Sequence, residues 1–320
     1  MQYRQLGRSG LRVSSIALGS WLTFGNQVDR ETSTACIRRA FELGVTMFDT
    51  ADIYHLGAGE TELGIALEGI TRSDYVLATK TFWPMSDNAN DRGLSRKHIV
   101  ESCEKSLRRL RTDYIDLYQC HRYDDTTPLD ETLRALEDLV RQGKVLYSGV
   151  SEWAPEQISA AVDYQVEHDF DRLVSSQPQY NMIWRVIESK VIPVSEKLGI
   201  GQVVWSPLAQ GVLTGKYQPG QPLPEGSRAA DERVSGPIEG YLKAPVLEAV
   251  QKLRPVADAA GISLAQMAIA WVLRQPNVSA AIVGASRVEQ VEENVRASDV
   301  RLDAATLAEI DRVLEGLVRY

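Results

Sequence analysis

Three cysteines are too few and too scattered to staple this chain. Cys36, Cys103 and Cys120 form no CxxC pair, and an odd count makes a poor disulfide framework. They read as reduced thiols, which points to a cytoplasmic protein. Cys120 stands next to His121, but alternation along a strand would aim the two side chains at opposite faces. Cys120 is therefore expected in the core and not as a nucleophile. Neither an HExxH pattern nor a Cys/His cluster occurs, so a metal site has no support. No basic run occurs, and 35 Lys and Arg against 43 Asp and Glu leave a net charge of −8, which argues against a nucleic-acid partner. A local basic pocket for a phosphorylated cofactor is still compatible with that balance. No apolar run is long enough to span a bilayer, and Met1 to Gly7 lacks the apolar stretch of a signal peptide, so no membrane insertion is expected.

What is present is a rhythm. The chain has 320 residues and 44% hydrophobic content, enough for one large core, and residues 1–320 are expected to form a single domain. Tyr3 to Leu6 and Leu11 to Val13 flank a Gly-Arg-Ser-Gly turn and predict a short hairpin. Core strands are expected at Ser15 to Leu18, Val45 to Asp49, Val76 to Lys80, Ile115 to His121, Val145 to Val150, Leu173 to Ser176, Gln202 to Trp205 and Ala280 to Val283. Helical spacing predicts helices between them, at Arg30 to Leu43, Glu60 to Glu68, Ser95 to Leu110, Leu129 to Val140, Pro155 to Tyr164 and Val186 to Leu198. After the seventh core strand the rhythm breaks, and Lys216 to Lys243 reads as a long loop without periodicity. Helices Pro245 to Ala260, Ser263 to Arg274, Glu289 to Ala297 and Ala304 to Leu317 complete the chain. Eight such units imply a (β/α)8 TIM barrel with a short N-terminal hairpin, a long loop after strand 7 and extra C-terminal helices. An open doubly wound sheet would need a switch of pattern that the series does not show.

Chemistry collects at the strand ends. Asp49, Lys80, His121, Ser151, Gln177, Trp205 with Ser206, and Gly284 with Ser286 end successive strands, and Tyr54 follows Asp49 by five residues. In a parallel barrel these positions share the functional face. A bare ammonium at the end of an apolar strand needs a partner, and Asp49 is expected to serve Lys80. Lys80 would favour the phenolate of Tyr54 and so bring down its pKa from about 10. His121 would give a second hydrogen bond to the same substrate oxygen. Such a set polarises a carbonyl and delivers a proton. It contains no nucleophile and no hydride source, so a nicotinamide is implied. Asp52 reads as a turn cap. Gly57-Ala58-Gly59 and Gly211 to Lys216 imitate nucleotide-binding loops, but their spacing fits turns better.

At these residues the sequence resembles the aldo-keto reductase superfamily, from Leu6-Gly7 through Asn294. Within it, Gly93-Leu94-Ser95-Arg96-Lys97-His98-Ile99, Trp205-Ser206-Pro207-Leu208-Ala209 and Gly284-Ala285-Ser286 are similar to the branch containing voltage-gated potassium channel β subunits and their bacterial relatives. The resemblance implies a catalytic tetrad of Asp49, Tyr54, Lys80 and His121, with Tyr54 as the acid, and NADPH/NADP+ as cofactor. It implies that Ser151 and Gln177 hold the carboxamide and that Trp205 stacks on the nicotinamide. Ser206, Leu208, Gly211 and Lys216 would line the pyrophosphate. Arg228, with Lys216 or Ser286, would meet the 2′-phosphate, and Arg287 is a further cation in the matching segments. Gln290, Glu293 and Asn294 would meet the adenosine end. Gly19, Ser20, Trp21 and Gln27 would border the cofactor and substrate. Trp21, Phe24, Tyr54 and Trp83 would wall a substrate pocket beside His121, suited to aldehydes and ketones. Two departures from the family pattern stand out. Glu152 occupies a position where many of these reductases carry Asn, and His121 one where channel β subunits carry Asn. The implied function is reduction of a small carbonyl substrate, with a redox-reporting regulatory subunit as the alternative and a homo-oligomer allowed.

Overall fold

Hydrophobic alternation and glycine punctuation give the hairpin at the start of the chain. A computed structural model describes residues 1–232 and 235–320, and in it Tyr3–Gln5 (β1) pairs antiparallel with Arg12–Ser14 (β2). The alternating series then runs Ile16–Gly19 (β3), Arg30–Glu42 (α1), Met47–Asp49 (β4), Ala58–Ala66 (α2), Val76–Thr81 (β5) and Arg96–Leu110 (α3). It continues with Ile115–Cys120 (β6), Leu129–Arg141 (α4), Val145–Ser151 (β7), Pro155–Glu167 (α5), Ser175–Gln177 (β8), Val191–Leu198 (α6) and Gly201–Val204 (β9). Ala244–Ala259 (α7), Leu264–Leu273 (α8), Val278–Val283 (β10), Val288–Arg296 (α9) and Ala304–Val313 (α10) follow.

The strands close in the order β10-β3-β4-β5-β6-β7-β8-β9, all parallel, and the helices surround them. This is the expected (β/α)8 barrel. Capping explains several helix starts. Asp29 accepts the Thr32 N–H, Ser95 accepts the His98 N–H, and Ser263 and Gln266 form a reciprocal capping box. The core has two parts. Inside the barrel, Leu6 and Val13 of the hairpin pack with Ala17, Met47, Ala78, Leu117, Val203 and Ala280. The hairpin thus stoppers the N-terminal end of the barrel and leaves the C-terminal end for the site. Outside, the helices bury stripes such as Ile99, Cys103, Leu107 and Leu110 of α3 against the sheet.

Two expectations are corrected. The helix expected over Val186 to Leu198 is broken into a 3-10 turn, Val186–Glu188, and α6. Pro193 explains the break, because its ring would clash with the carbonyl of Ser189, four residues back, if one helix ran through both. The segment Lys216 to Lys243 is not wholly irregular: it contains short 3-10 helices at Arg228–Ala230 and Gly236–Tyr241. Positions 233 and 234 of that segment lie outside the described residues. Among the described residues, no single helix is long and apolar enough to cross a membrane.

Candidate active site

Barrel register delivers the strand-end side chains to one place. Asp49 of β4 lies opposite Gly19 of β3, Lys80 of β5 opposite Gln119 of β6, and Ser151 of β7 opposite Gln177 of β8. The Lys80 ammonium, wholly buried, donates to Asp49 Oδ1 at 2.7 Å, to the Thr50 carbonyl at 2.7 Å and to the Tyr54 hydroxyl at 3.2 Å. An ammonium has three donors, so each is engaged. The second oxygen of Asp49 accepts from Gln177 Nε2 at 2.8 Å. Ser151 Oγ donates to the Gln177 carbonyl at 2.8 Å and so fixes the strand that carries this glutamine. The His121 ring meets the Tyr54 ring edge-on, with centroids 5.8 Å apart.

Electrostatics assign protonation states. Burial pushes the Lys80 pKa down, but Asp49 and then Tyr54 push it up further, and the net shift is upward. The ammonium is retained. For Tyr54, burial raises the pKa and Lys80 only partly offsets this, so the phenol lies above its ordinary value. Lys80 does bring it down, as expected, but by less than burial raises it. Burial first, and then the charges of Lys80 and Arg122, hold His121 well below its ordinary value, so its imidazole is neutral at pH 7. Its Nδ1 is buried without a hydrogen-bond partner.

These groups open into a cavity of about 880 Å³. Gly19, Trp21, Gln27, Asp49, Tyr54, Trp83, His121, Ser151, Gln177, Trp205, Ser206, Leu208, Gly211, Lys216, Arg228, Gly284, Ser286, Gln290, Glu293 and Asn294 line it. Ser20 does not line it; its hydroxyl donates to Thr50 Oγ1 behind the wall, at 2.7 Å. Phe24 is also not a wall residue, being 1% exposed and packed in the outer core. Asp52 stands in the turn after β4, at the position read as a cap. It is fully buried, accepts from Ser102 Oγ at 2.7 Å, and its pKa is pushed up to about 7 by burial and then by Glu60.

The distal half of the cavity is shaped for an anion. After β9 the chain turns through Ala209, Gln210 and Gly211, all with positive φ, and at +97° Gly211 tolerates what a β-carbon would resist. Lys216, Arg228 and Arg287 gather beside this turn. Burial, and then the charges of Arg228 and Arg287, lower the pKa of Lys216. A bound phosphate would relieve that mutual repulsion, so the donor set fits a phosphorylated nucleotide. Arg287 lines the cavity with a largely exposed side chain, and its Nε lies 3.7 Å from Glu289.

Several lining residues had no separate signal in the sequence. Gln210 takes a hydrogen bond from Arg228 and gives one to Ser206 Oγ, and only the left-handed turn brings the three together. Leu56 projects from the loop after Tyr54, and Arg122 follows His121 at its strand end. Glu152 accepts from Trp205 Nε1 at 2.8 Å and from the Gln179 N–H at 2.6 Å, so it steadies the indole. Among the described residues no group of three or more His, Cys, Asp or Glu is placed to hold a metal ion. All three cysteines are buried, and burial pushes the Cys120 thiol up to about 12, as a core thiol requires.

Comparison with known proteins finds relatives along nearly the whole chain. The model of the aldo/keto reductase family matches residues 15–315. An Arabidopsis thaliana protein named a probable voltage-gated potassium channel subunit beta is 43% identical over 99% of this chain and 97% of its own length. A rice protein (Oryza sativa subsp. japonica) of the same name is 45% identical over 94% of this chain and 92% of its own.

Proposed function

Because the chain belongs to the aldo/keto reductase family, a family of oxidoreductases, we propose that it reduces aldehydes and some ketones to alcohols with NADPH, and that Tyr54 is the proton donor. The observation that carries this reading is the hydrogen bond from Lys80 to the Tyr54 oxygen. Tyr54 accepts there, so its own proton is directed elsewhere, and the cavity is the side on which a carbonyl oxygen would wait. Asp49, held on both oxygens, keeps the ammonium charged and in place. As a proton leaves Tyr54, the adjacent ammonium stabilises the phenolate that forms. His121, neutral and beside Tyr54, offers an N–H to the same substrate oxygen without competing as an acid.

Bound NADPH would supply the hydride that the side chains cannot. Ser151, Gln177 and Trp205 would hold its nicotinamide end. Ser206, Leu208, Gly211 and Lys216 would hold the pyrophosphate, and Arg228, with Lys216 or Ser286, the 2′-phosphate. Gln290, Glu293 and Asn294 would face the adenosine. Tyr54→Phe should lower the chemical step by about 10²–10⁴-fold, the usual worth of a positioned acid. NADPH binding should hardly change. Wild-type turnover in that variant, measured on a small aldehyde, would remove Tyr54 from the role.

The names of the relatives favour a second reading, a nicotinamide-binding regulatory subunit with slow residual reductase activity. Turnover on a panel of small aldehydes separates the two. Rates far below about 1 s⁻¹ on every member would favour the regulatory reading, since ordinary enzymes run at roughly 1–10³ s⁻¹.

A further inference from the structure

Beyond helping to lower the pKa of His121, Arg122 has no part in the arrangement derived so far. It lines the cavity one residue after His121, at the end where Trp83 and Tyr54 also stand. Its guanidinium lies 5.6 Å from the centre of the Trp83 ring, and Nη1 donates to the His121 carbonyl at 2.6 Å. Among the described residues that is the one hydrogen bond its side chain makes, and a guanidinium has five donors in a planar fork. Among the described residues no carboxylate lies within 4.0 Å of it, although the chain carries 43 Asp and Glu and pairs many of its arginines. The charge of Arg122 acts on both Tyr54 and His121, so it stands close to the group that would receive the carbonyl. It also belongs to a different part of the cavity from Lys216, on which the charges of Arg228 and Arg287 act.

From this geometry we infer that Arg122 is a subsite for an anionic group on the substrate. The favoured substrates are carbonyl compounds that also carry a carboxylate, with an apolar or aromatic middle against Trp21, Leu56 and Trp83. The inference rests on the reductase reading for the word substrate, but not for the binding of an anion. The planar fork fits a carboxylate bidentately, and a cation already facing an aromatic ring is partly stripped of water. The single bond to the His121 carbonyl holds the fork by one corner, leaving its other donors for a ligand. In the low-dielectric end of a barrel such a contact discriminates strongly between a charged group and its neutral isostere.

The test compares 4-carboxybenzaldehyde with 4-nitrobenzaldehyde. Wild type should favour the carboxylate in kcat/KM, and Arg122→Leu should lower that ratio by about ten- to hundred-fold, the worth of a charge-assisted contact. Arg122→Lys should retain part of the preference. Using a ratio cancels any general effect of the variant on catalysis. In parallel, calorimetry on the NADP+-loaded protein compares benzoate with benzamide and needs no turnover. Benzoate should bind more tightly to wild type, and the difference should collapse in Arg122→Leu. An unchanged aldehyde ratio, or a benzoate preference that survives in Arg122→Leu, would overturn the inference and assign the anion to Tyr54 and His121. Benzoate preference without turnover on either aldehyde would support the anion site and overturn the reductase reading.

Discussion

Single side chains in this site are defined by what their hydrogen bonds leave over. Lys80 spends all three donors and is a fixed charge; Tyr54 accepts one of them, so its own proton is not spent on that bond. Glu152 makes the same point from the other direction. Its backbone has φ of +56°, a conformation that favours glycine or asparagine, and a non-glycine residue pays about 1 kcal/mol or more to stay there. It persists because one carboxylate oxygen ties Trp205 Nε1 to the Gln179 N–H. The Trp205 ring then stands edge-on to Trp21 at 5.9 Å, and the two indoles wall the cavity together. Glu152→Ala should free the indole, broaden its emission and weaken nicotinamide binding by about five- to ten-fold, near 1 kcal/mol for a solvent-accessible pair of bonds. Glu152→Gln, which keeps an acceptor oxygen, should stay close to wild type. Loss of the same size in both variants would show that the charge matters and the tether does not.

At the scale of elements, Asp52 joins three of them. It sits in the turn after β4, its N–H donates to the Lys80 carbonyl of β5 at 3.1 Å, and its carboxylate takes the Ser102 hydroxyl of α3. Its other oxygen is buried without a partner. The pKa is raised to about 7, against about 3.9 in an unfolded chain. The folded state therefore binds the extra proton between those values, and the stability tied to this group is fully present below about pH 4. It falls as pH rises toward 7 and is flat above. Asp52→Asn removes that slope while its amide oxygen still accepts from Ser102. Urea unfolding should show the variant gaining on wild type between pH 5 and pH 8, by roughly 2–3 kcal/mol. A difference that does not change with pH would mean that Asp52 is ionised in the fold throughout. The sequence signalled none of this, because a carboxylate three residues past a strand end looks the same whether it caps a turn or is enclosed. The strand and helix series was legible, since periods of 2 and 3.6 and cap residues such as Ser95 and Ser263 are local signals. The break before α6 is local too, and Pro193 announces it once the carbonyl four residues back is considered. The turn at Ala209 to Gly211 was not legible, because two of its three left-handed residues are not glycine. Nor was the isolation of Arg122, which depends on carboxylates from the whole fold staying away.

For the molecule as a whole, one end is closed and the other holds an elongated cavity with cations in two places. The hairpin fills the N-terminal mouth through Leu6 and Val13, so every polar strand end points to the opposite mouth. The chain as a whole carries a net charge of −8, a field that opposes any phosphorylated ligand. NADPH differs from NADH by a 2′-phosphate of up to two charges, so a preference for it requires a local reversal of that field. Arg228, Lys216 and Arg287 provide one, and Arg228 is the member able to grip a phosphate bidentately. Gln210 holds it in place by a side-chain hydrogen bond and is itself bonded to Ser206. Arg228→Ala should weaken NADPH binding by about ten- to hundred-fold, the worth of a charge-assisted contact, and leave NADH almost unchanged. The NADPH advantage in wild type should also shrink as salt rises from 0.05 to 0.5 M (roughly), since screening acts on the extra charges alone. Quenching of Trp205 by each nucleotide, in both proteins, reads all of these affinities. Equal losses for NADH and NADPH would show that Arg228 acts by shaping the turn at Gln210, and the reading of the 2′-phosphate would pass to Lys216 and Ser286.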